Sequence, residues 1–400
     1  MKVYDLAKQY EEYIVSMRRH FHENPELSDK EFKTVEKISQ ELTQMGVCHK
    51  VIENGGVLAW IKGETDNGKS ILLRADVDAL PVTESPDNLV KGGKTCVSKI
   101  EGVMHACGHD GHTAMLLGAA KILCDKRDEI EGTIYLCFER GEEGGHGQGY
   151  IFKYLDDNNI KIDTAFGVHL ISSQPSGKVI INDREMMASN AFFRVEIKGR
   201  GGHGSRPDEA NSPIDCFVAI YQRLMALRLQ KVNPFGAFTY SVGDIYCGTV
   251  CNVIPDSLMF SGMARAVNVE DLEKFFDELE RVVINTAKAY DCEVQYRFNR
   301  LIHPPVINDT HLAQFAREVI GEELGTENVG TSVPWMASET YANYLERYGG
   351  LFAFVGVANE KTGCGAPNHS PEFDIDDTAL KNGSATEAIY AIEYLKKSCV

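Results

Sequence analysis

Apolar positions in the first part of the chain follow two different periods. From Met1 to about Phe21 they recur at helical spacing, and Asn24 and Pro25 end that amphipathic segment. A second helix is predicted from about Asp29 to Met45, with Ser28 or Asp29 as its cap. Short apolar runs then alternate with helices: VLAWIKG, SILLRADVDAL, GTIYLCFER and TAFGVHL, with the small-residue helix TAMLLGAAKIL after His112. ILLRADV and TIYLCF are unbroken apolar runs of strand length, the pattern of strands covered on both faces. The first part therefore predicts an α/β domain with a mixed or parallel sheet and helices on both faces.

Between Asn182 and Ala191 the texture changes. AFFRVEIKG, AFTYSVGDIYCG, SLMFSGMARAV and CEVQYRFNR read as strands, the first and last alternating, around the helices SPIDCFVAIYQRLMALRLQ and VEDLEKFFDELERVVINTAKAY. Strands with one wet face predict a smaller α+β domain with helices on one side. After His303, Pro304 and Pro305 the buried-sheet pattern returns in LFAFVGV. The middle block thus reads as an insertion, giving a catalytic domain over 1–184 and 300–400 and a satellite domain over 185–299. A chain of 400 residues also exceeds what one core usually supports.

Composition narrows the function classes. A hydrophobic content of 43% with 25% charged residues is ordinary for a globular chain, and a net charge of -17 opposes non-specific binding to nucleic acid or an anionic membrane. Eleven cysteines without framework spacing suggest reduced thiols in a cytoplasmic protein. The first residues lack the apolar core of a signal peptide, and no apolar run reaches the length of a membrane span.

Candidate chemistry centres on Met104 to His112, MHACGHDGH, directly before a helix able to be buried. Cys107 and His109 are close enough to share one ion, and His109 and His112 are spaced to share a helix face. Asp76 and Asp78 follow an apolar strand, where open α/β sheets keep their sites, and Asp78 suits the orientation of a metal-bound imidazole. Glu142 and Glu143 follow another strand. Were that segment extended, they would point to opposite faces, one to ligate an ion and one to take a proton from water. His169 and His369 are isolated histidines whose meaning depends on context. In the middle block His203, Asn252 and Arg265 form a donor set for a carbonyl oxygen or carboxylate. Each feature alone also fits a plainer role, as a capping aspartate, an acidic turn, a surface histidine or a solvated arginine.

Taken together the motifs resemble the amidohydrolase branch of the zinc-dependent aminoacylase and carboxypeptidase G superfamily. That branch includes hippurate hydrolases, N-acetyldiaminopimelate deacetylases and plant auxin-conjugate hydrolases. RRHFHENPELSDKEFKT, LLRADVDALPV, GVMHACGHDGHTAMLLGAA, FERGEEGG, GVHL, KGRGGHGSRP, NVIPD and HSPEFDID occur in the family's order over nearly the whole chain. The resemblance implies two divalent ions per subunit, held by Cys107, His109, Glu143, His169 and His369, with Glu142 as general base and Asp78 as orienting carboxylate. Zinc suits the thiolate ligand, while the other donors also accept manganese, cobalt or nickel. It further implies substrate contacts from His203, Asn252 and Arg265, and a homodimer through the satellite domain. The expected activity is hydrolysis of an N-acyl amino acid by metal-activated water. A dipeptidase or aminobenzoyl-glutamate type hydrolase and a non-catalytic metal-binding scaffold are the alternatives. Three departures stand out: Glu139, Arg140 and Gly141 replace the usual glutamine, proline and alanine, Asp208 replaces a histidine, and Thr340 replaces an aspartate after Glu339.

Overall fold

The computed structural model describes residues 1–296 and 302–397. In chain order the regular elements begin with helices α1 (Val3–Gln9), α2 (Glu11–Glu23) and α3 (Phe32–Gln44). Strands β1 (Cys48–Ile52), β2 (Gly56–Lys62) and β3 (Thr65–Asp76) follow, then α4 (His109–Asp125), β4 (Glu131–Glu139), α5 (Gly147–Asp157), β5 (Thr164–Pro175), β6 (Val179–Ile180) and β7 (Glu185–Met187). The middle of the chain supplies β8 (Ser189–Lys198), β9 (Gly202–His203), α6 (Pro213–Lys231), β10 (Phe238–Cys247), β11 (Val253–Ile254), β12 (Ser257–Ala266), α7 (Val269–Ala289) and β13 (Glu293–Tyr296). The remainder holds β14 (Val306–Ile307), α8 (Thr310–Leu324), β15 (Val329–Gly330), α9 (Ala342–Tyr348), β16 (Gly350–Ala358) and α10 (Leu380–Lys396).

Two compact units result: Met1–Met186 with Ile307–Val333 and Asn343–Val400, and Met187–Val306 with Pro334–Ala342. The expected boundary between 299 and 300 lies outside the described residues, as does the end of the CEVQYRFNR run. Residues 334–342 joining the second unit had no signal in the apolar pattern.

The larger unit is an α/β layer built on a mixed eight-stranded sheet, ordered β1-β2-β4-β3-β5-β16-β6-β15. Its centre is parallel (β4, β3, β5 and β16) and covered on both faces, which is why TIYLCF and LFAFVGV are mostly apolar and why ILLRADV is buried along its length, Arg74 and Asp76 included. Helix α4 is buried almost from end to end, because a helix with apolar or small residues on every side has no wet face to expose. It approaches α10 at glycines: a Cβ on Gly118 would sit 2.5 Å from Ser384 Oγ, and one on Gly383 2.0 Å from Met115 Sδ. The smaller unit carries the antiparallel sheet β10-β12-β8-β13. On β8, Phe193, Val195 and Ile197 face the core while Phe192 is exposed, and α6 and α7 supply the rest of that core. No helix among the described residues is long and apolar enough to cross a membrane.

The N-terminal pattern needs correction. The first helix is two, broken at Tyr10, and the second begins at Phe32 because Asp29 takes a left-handed φ of 66°. Ser28 is not a cap; its hydroxyl donates to Asp78 Oδ2 at 2.6 Å.

One core residue breaks the apolar rule with a measurable consequence. Glu387 on α10 is fully buried, and its Oε2 has no hydrogen-bond partner among the described residues. Burial pushes its carboxyl well above the usual range. Above the ordinary carboxylate range the unfolded chain releases this proton while the folded chain keeps it. Stability therefore falls as pH rises, by about 1.4 kcal/mol per pH unit while the two states differ by one proton. Glu387→Gln is expected to be more stable than the parent at pH 7–8 and equal to it near pH 4, as read by urea denaturation at both pH values. A variant less stable at neutral pH contradicts this.

Candidate metal centre

The candidate ligands sit where the parallel strands end. β3 runs out at Asp76 with Asp78 just beyond, β4 ends at Glu139 before Glu142 and Glu143, and His169 lies on β5. Cys107 precedes α4, and Gly108 at φ 93° turns the chain so that His109 becomes the first helical residue. His369 reaches the same place from a C-terminal loop in which it adopts a left-handed φ of 69° while its N–H donates to Ala106 O at 2.8 Å. A non-glycine residue in that conformation is held there by its surroundings.

Around Cys107 the donor atoms crowd together. His169 Nε2 lies 3.5 Å and His369 Nε2 3.2 Å from its Sγ, and His369 Nε2 lies 3.2 Å from Glu143 Oε1. Cys107/His109/His169, Cys107/Glu143/His369 and His109/Glu142/Glu143 each bring their ligand atoms within 4.8 Å of one another. The imidazoles are oriented by their far nitrogens: His109 Nδ1 pairs with Asp78 Oδ1 at 3.1 Å, and His169 Nδ1 donates to Leu170 O at 2.7 Å. This leaves each Nε2 facing the centre, the arrangement of a metal-bound histidine with an outer partner. His109 Nε2 is buried and has no hydrogen-bond partner among the described residues. A buried, unpartnered imidazole nitrogen next to a thiol, two more imidazoles and two carboxylates fits a cation, since the same atoms satisfy one another poorly by hydrogen bonds alone.

Burial and neighbouring charges set the protonation of these groups. Burial pushes the Cys107 thiol up, and burial together with His112 holds His169 neutral by lowering it. Burial opposes ionisation of Asp78, but its bond to His109 and the hydroxyl of Ser28 outweigh it and hold the carboxyl below the usual range. The other oxygen of Asp78 also accepts the Glu143 N–H at 3.0 Å, so one carboxylate fixes both an imidazole and the turn carrying the glutamates.

The turn itself differs from expectation. Residues 142–145 form a tight turn, with Gly145 N–H donating to Gly141 O and Glu142 O, so the alternation of an extended strand does not apply. Both Glu142 and Glu143 reach toward His109.

The family model of peptidase family M20/M25/M40 matches residues 72–391. The chain belongs to that family. It is 34% identical to thermostable carboxypeptidase 2 of Saccharolobus solfataricus, covering 98% of each chain. It is also 34% identical to IAA-amino acid hydrolase ILR1-like 4 of Arabidopsis thaliana, over 98% of this chain and 89% of that one. The crystal structure of the Bacillus subtilis YXEP protein, a dinuclear metal-binding peptidase of the M20 family, superposes with a TM-score of 0.82 at 29% identity, over 97% and 99% of the two chains. As an M20-family member the protein is a metal-dependent amidohydrolase or peptidase, and its large mixed sheet flanked by helices is that family's fold.

The remaining candidates lie in the smaller unit. His203 pairs with Val253 across β9 and β11, and Gly204 N–H donates to Asn252 O at 2.9 Å, so His203 and Asn252 are neighbours. His203 is exposed, its Nδ1 2.7 Å from Ser205 Oγ. Arg265 is on β12 in the four-stranded sheet, half-buried, with Nη1 donating to Met336 O at 3.2 Å. Burial lowers its guanidinium from the usual range, and the side chain is only partly open to solvent.

Several residues at the centre are outside the ligand set that the resemblance implies. His112 donates through Nδ1 to Asp76 Oδ1 at 2.6 Å and accepts the Leu170 N–H at Nε2, tying β5 to the end of β3. Asn368 contacts Cys107 O and Leu170 O beside His369. His105 is buried, neither ring nitrogen has a hydrogen-bond partner among the described residues, and burial pushes it down to about 4. The departures Glu139 and Arg140 do not pair with each other. Glu139 accepts from Arg74, and Arg140 donates to Glu31, which also accepts the Gly141 N–H.

Proposed function

We propose that the protein hydrolyses the amide bond of an N-acyl amino acid to a carboxylate and an amino acid, using two divalent ions, zinc foremost, held by Cys107, His109, Glu143, His169 and His369. The observation that carries this reading is the convergence of five ligand-type side chains from four separate segments around Cys107, with Glu142 beside them. When bound, the ions supply acidification of water and polarisation of a carbonyl. Glu142 accepts the proton of the attacking water and returns it to the leaving nitrogen. Asp78 holds His109 and the Glu143 backbone in register. His203, Asn252 and Arg265 bind the substrate's carbonyl oxygen or carboxylate. The test is metal content per chain together with turnover of N-acyl amino acids varied in acyl group and side chain. Turnover confined to metal-replete protein is expected, and no hydrolysis of any amide by replete protein overturns the reading.

One relative carries the name of an IAA-amino acid hydrolase and another that of a carboxypeptidase, so a dipeptidase-like second reading rests on the same residues. Arg265 separates the two by what it grips. In the second reading it clamps a free carboxylate, and Arg265→Met is then expected to raise KM roughly 10–100-fold with little change in kcat, the size of a lost charge-assisted hydrogen bond. A matched substrate without the carboxylate should be unaffected, and equal losses on both substrates remove Arg265 from this role.

The protein is further proposed to be a cytoplasmic homodimer joined through its smaller unit. On α6, Ile214, Val218, Tyr221, Met225 and Leu229 are exposed at helical spacing, and β10 is an edge strand. A second copy supplies both the apolar face and the strand partner that this surface lacks. Met225→Asp is expected to weaken self-association at least roughly tenfold by analytical ultracentrifugation, the scale of a central interface residue. A monomeric parent protein overturns the proposal.

A further inference from the structure

The segment RRHFHENPELSDKE, Arg18 to Glu31, has no chemical step in the proposed reaction, yet its side chains end on the segments that carry the candidate ligands. Arg18 is 1% exposed. Its Nε donates to Asp110 Oδ2 at 2.9 Å, its Nη1 to Asp377 Oδ1 at 3.3 Å, and its Nη2 lies 3.6 Å from Asp374 Oδ1. Asp110 directly follows His109 at the start of α4, while Asp374 lies in HSPEFDID, the run that begins at His369, and Asp377 comes immediately after it. His22, one helical turn on from Arg18, reinforces the first half: its Nδ1 is 2.8 Å from Asp110 Oδ2 and its Nε2 3.0 Å from Glu84 Oε1.

A buried guanidinium among three carboxylates is a costly way to fill space, and an apolar side chain of similar volume would often stabilise the fold as well or better. What the ionic arrangement adds is direction. The planar fork fixes where its partners stand, which apolar packing does not. We propose that Arg18 is a positioning residue that ties the helix start bearing His109 to the loop bearing His369, and so sets the spacing of the ligands across the metal centre. The proposal rests on the metal-centre reading above.

The experiment is cobalt and zinc titration of full-length protein by calorimetry, with the cobalt–thiolate charge-transfer band as a second readout. Arg18→Met is expected to lower affinity for metal by roughly tenfold or more, the scale of losing an outer partner of a ligand, and to shift the band. Arg18→Lys keeps the charge without the fork and should show a smaller loss of the same kind. Leu395→Ala, a core truncation at the far end of α10, should lose thermal stability and keep parental affinity and spectrum. Parental affinity and spectrum in Arg18→Met overturn the proposal, as does an equal loss of affinity in Leu395→Ala. If Arg18→Met does not fold, Asp377→Asn decides by the same criteria, since its side chain is 12% exposed and only the His369 half of the tie is cut. Parent protein that takes up no metal overturns the metal-centre reading and the tie with it, whereas a parent that binds two ions with an indifferent Arg18 overturns the tie alone.

Discussion

Glu142→Gln is expected to lower kcat by roughly 10²–10⁴-fold, the contribution of a positioned general base, while leaving the fold and metal content as they are. Glutamine keeps the shape of the side chain and loses the basic oxygen. The measurement also decides between two roles, because Glu142 shares a ligand-like group with His109 and Glu143. If Glu142 acts as a ligand, its loss lowers metal occupancy and turnover together. If it is the base, occupancy stays and only turnover goes. Glu143→Gln is the counterpart: metal is lost first, and added metal restores part of the activity. Turnover near the parental rate in Glu142→Gln removes the proposed mechanism.

Much of the centre was legible in the sequence because ligand chemistry is local. Cys107 and His109 stand in one short run, and Glu142 and Glu143 follow a strand whose apolar character marks it as buried. What the sequence hid were the partners of those residues, because they depend on the register between strands. Asp76 stands opposite Glu139 and Arg74 opposite Cys137 only once β3 and β4 pair in parallel, and no pattern along either strand states that register. His112, at helical spacing from His109, bonds Asp76 and the Leu170 N–H and so ties β5 to the end of β3, a role its spacing does not state. The Glu142–Glu143 segment departs from strand alternation for a related reason. Glycines at 141, 144 and 145 permit a tight turn, and that turn cancels the strand alternation the two glutamates would otherwise follow. In the N-terminal region the break at Tyr10 has no glycine or proline to announce it. Asp29 instead enters the left-handed region beside Gly141, where its Oδ1 would lie 3.0 Å from a Cβ on that glycine.

Arg74→Met should produce the largest loss of stability in the catalytic unit, on the order of 3–5 kcal/mol, the scale of stranding a buried charge. Arg74 is 2% exposed, and its Nη1 donates to Asp76 Oδ2 at 2.8 Å and its Nε to Glu139 Oε2 at 2.9 Å. Burial alone would raise the Asp76 carboxyl, but the imidazoles of His109 and His112 and the guanidinium of Arg74 hold it well below the usual range. Methionine fills similar volume and leaves two buried carboxylates facing each other. Glu139→Gln, the residue usual in the resembling family, is expected to be mild, because an amide oxygen still accepts from Arg74 and the bond to Asp76 remains. The double variant Arg74→Met/Glu139→Gln should recover part of the loss, since one of the two stranded charges is gone. Urea denaturation of all three at neutral pH reads the cycle, and the residues are in direct contact, so non-additivity is the expected signature. Arg74→Met within about 1 kcal/mol of the parent would mean that the carboxylates are neutralised another way, with Asp76 drawing on His112 rather than on the arginine beside it.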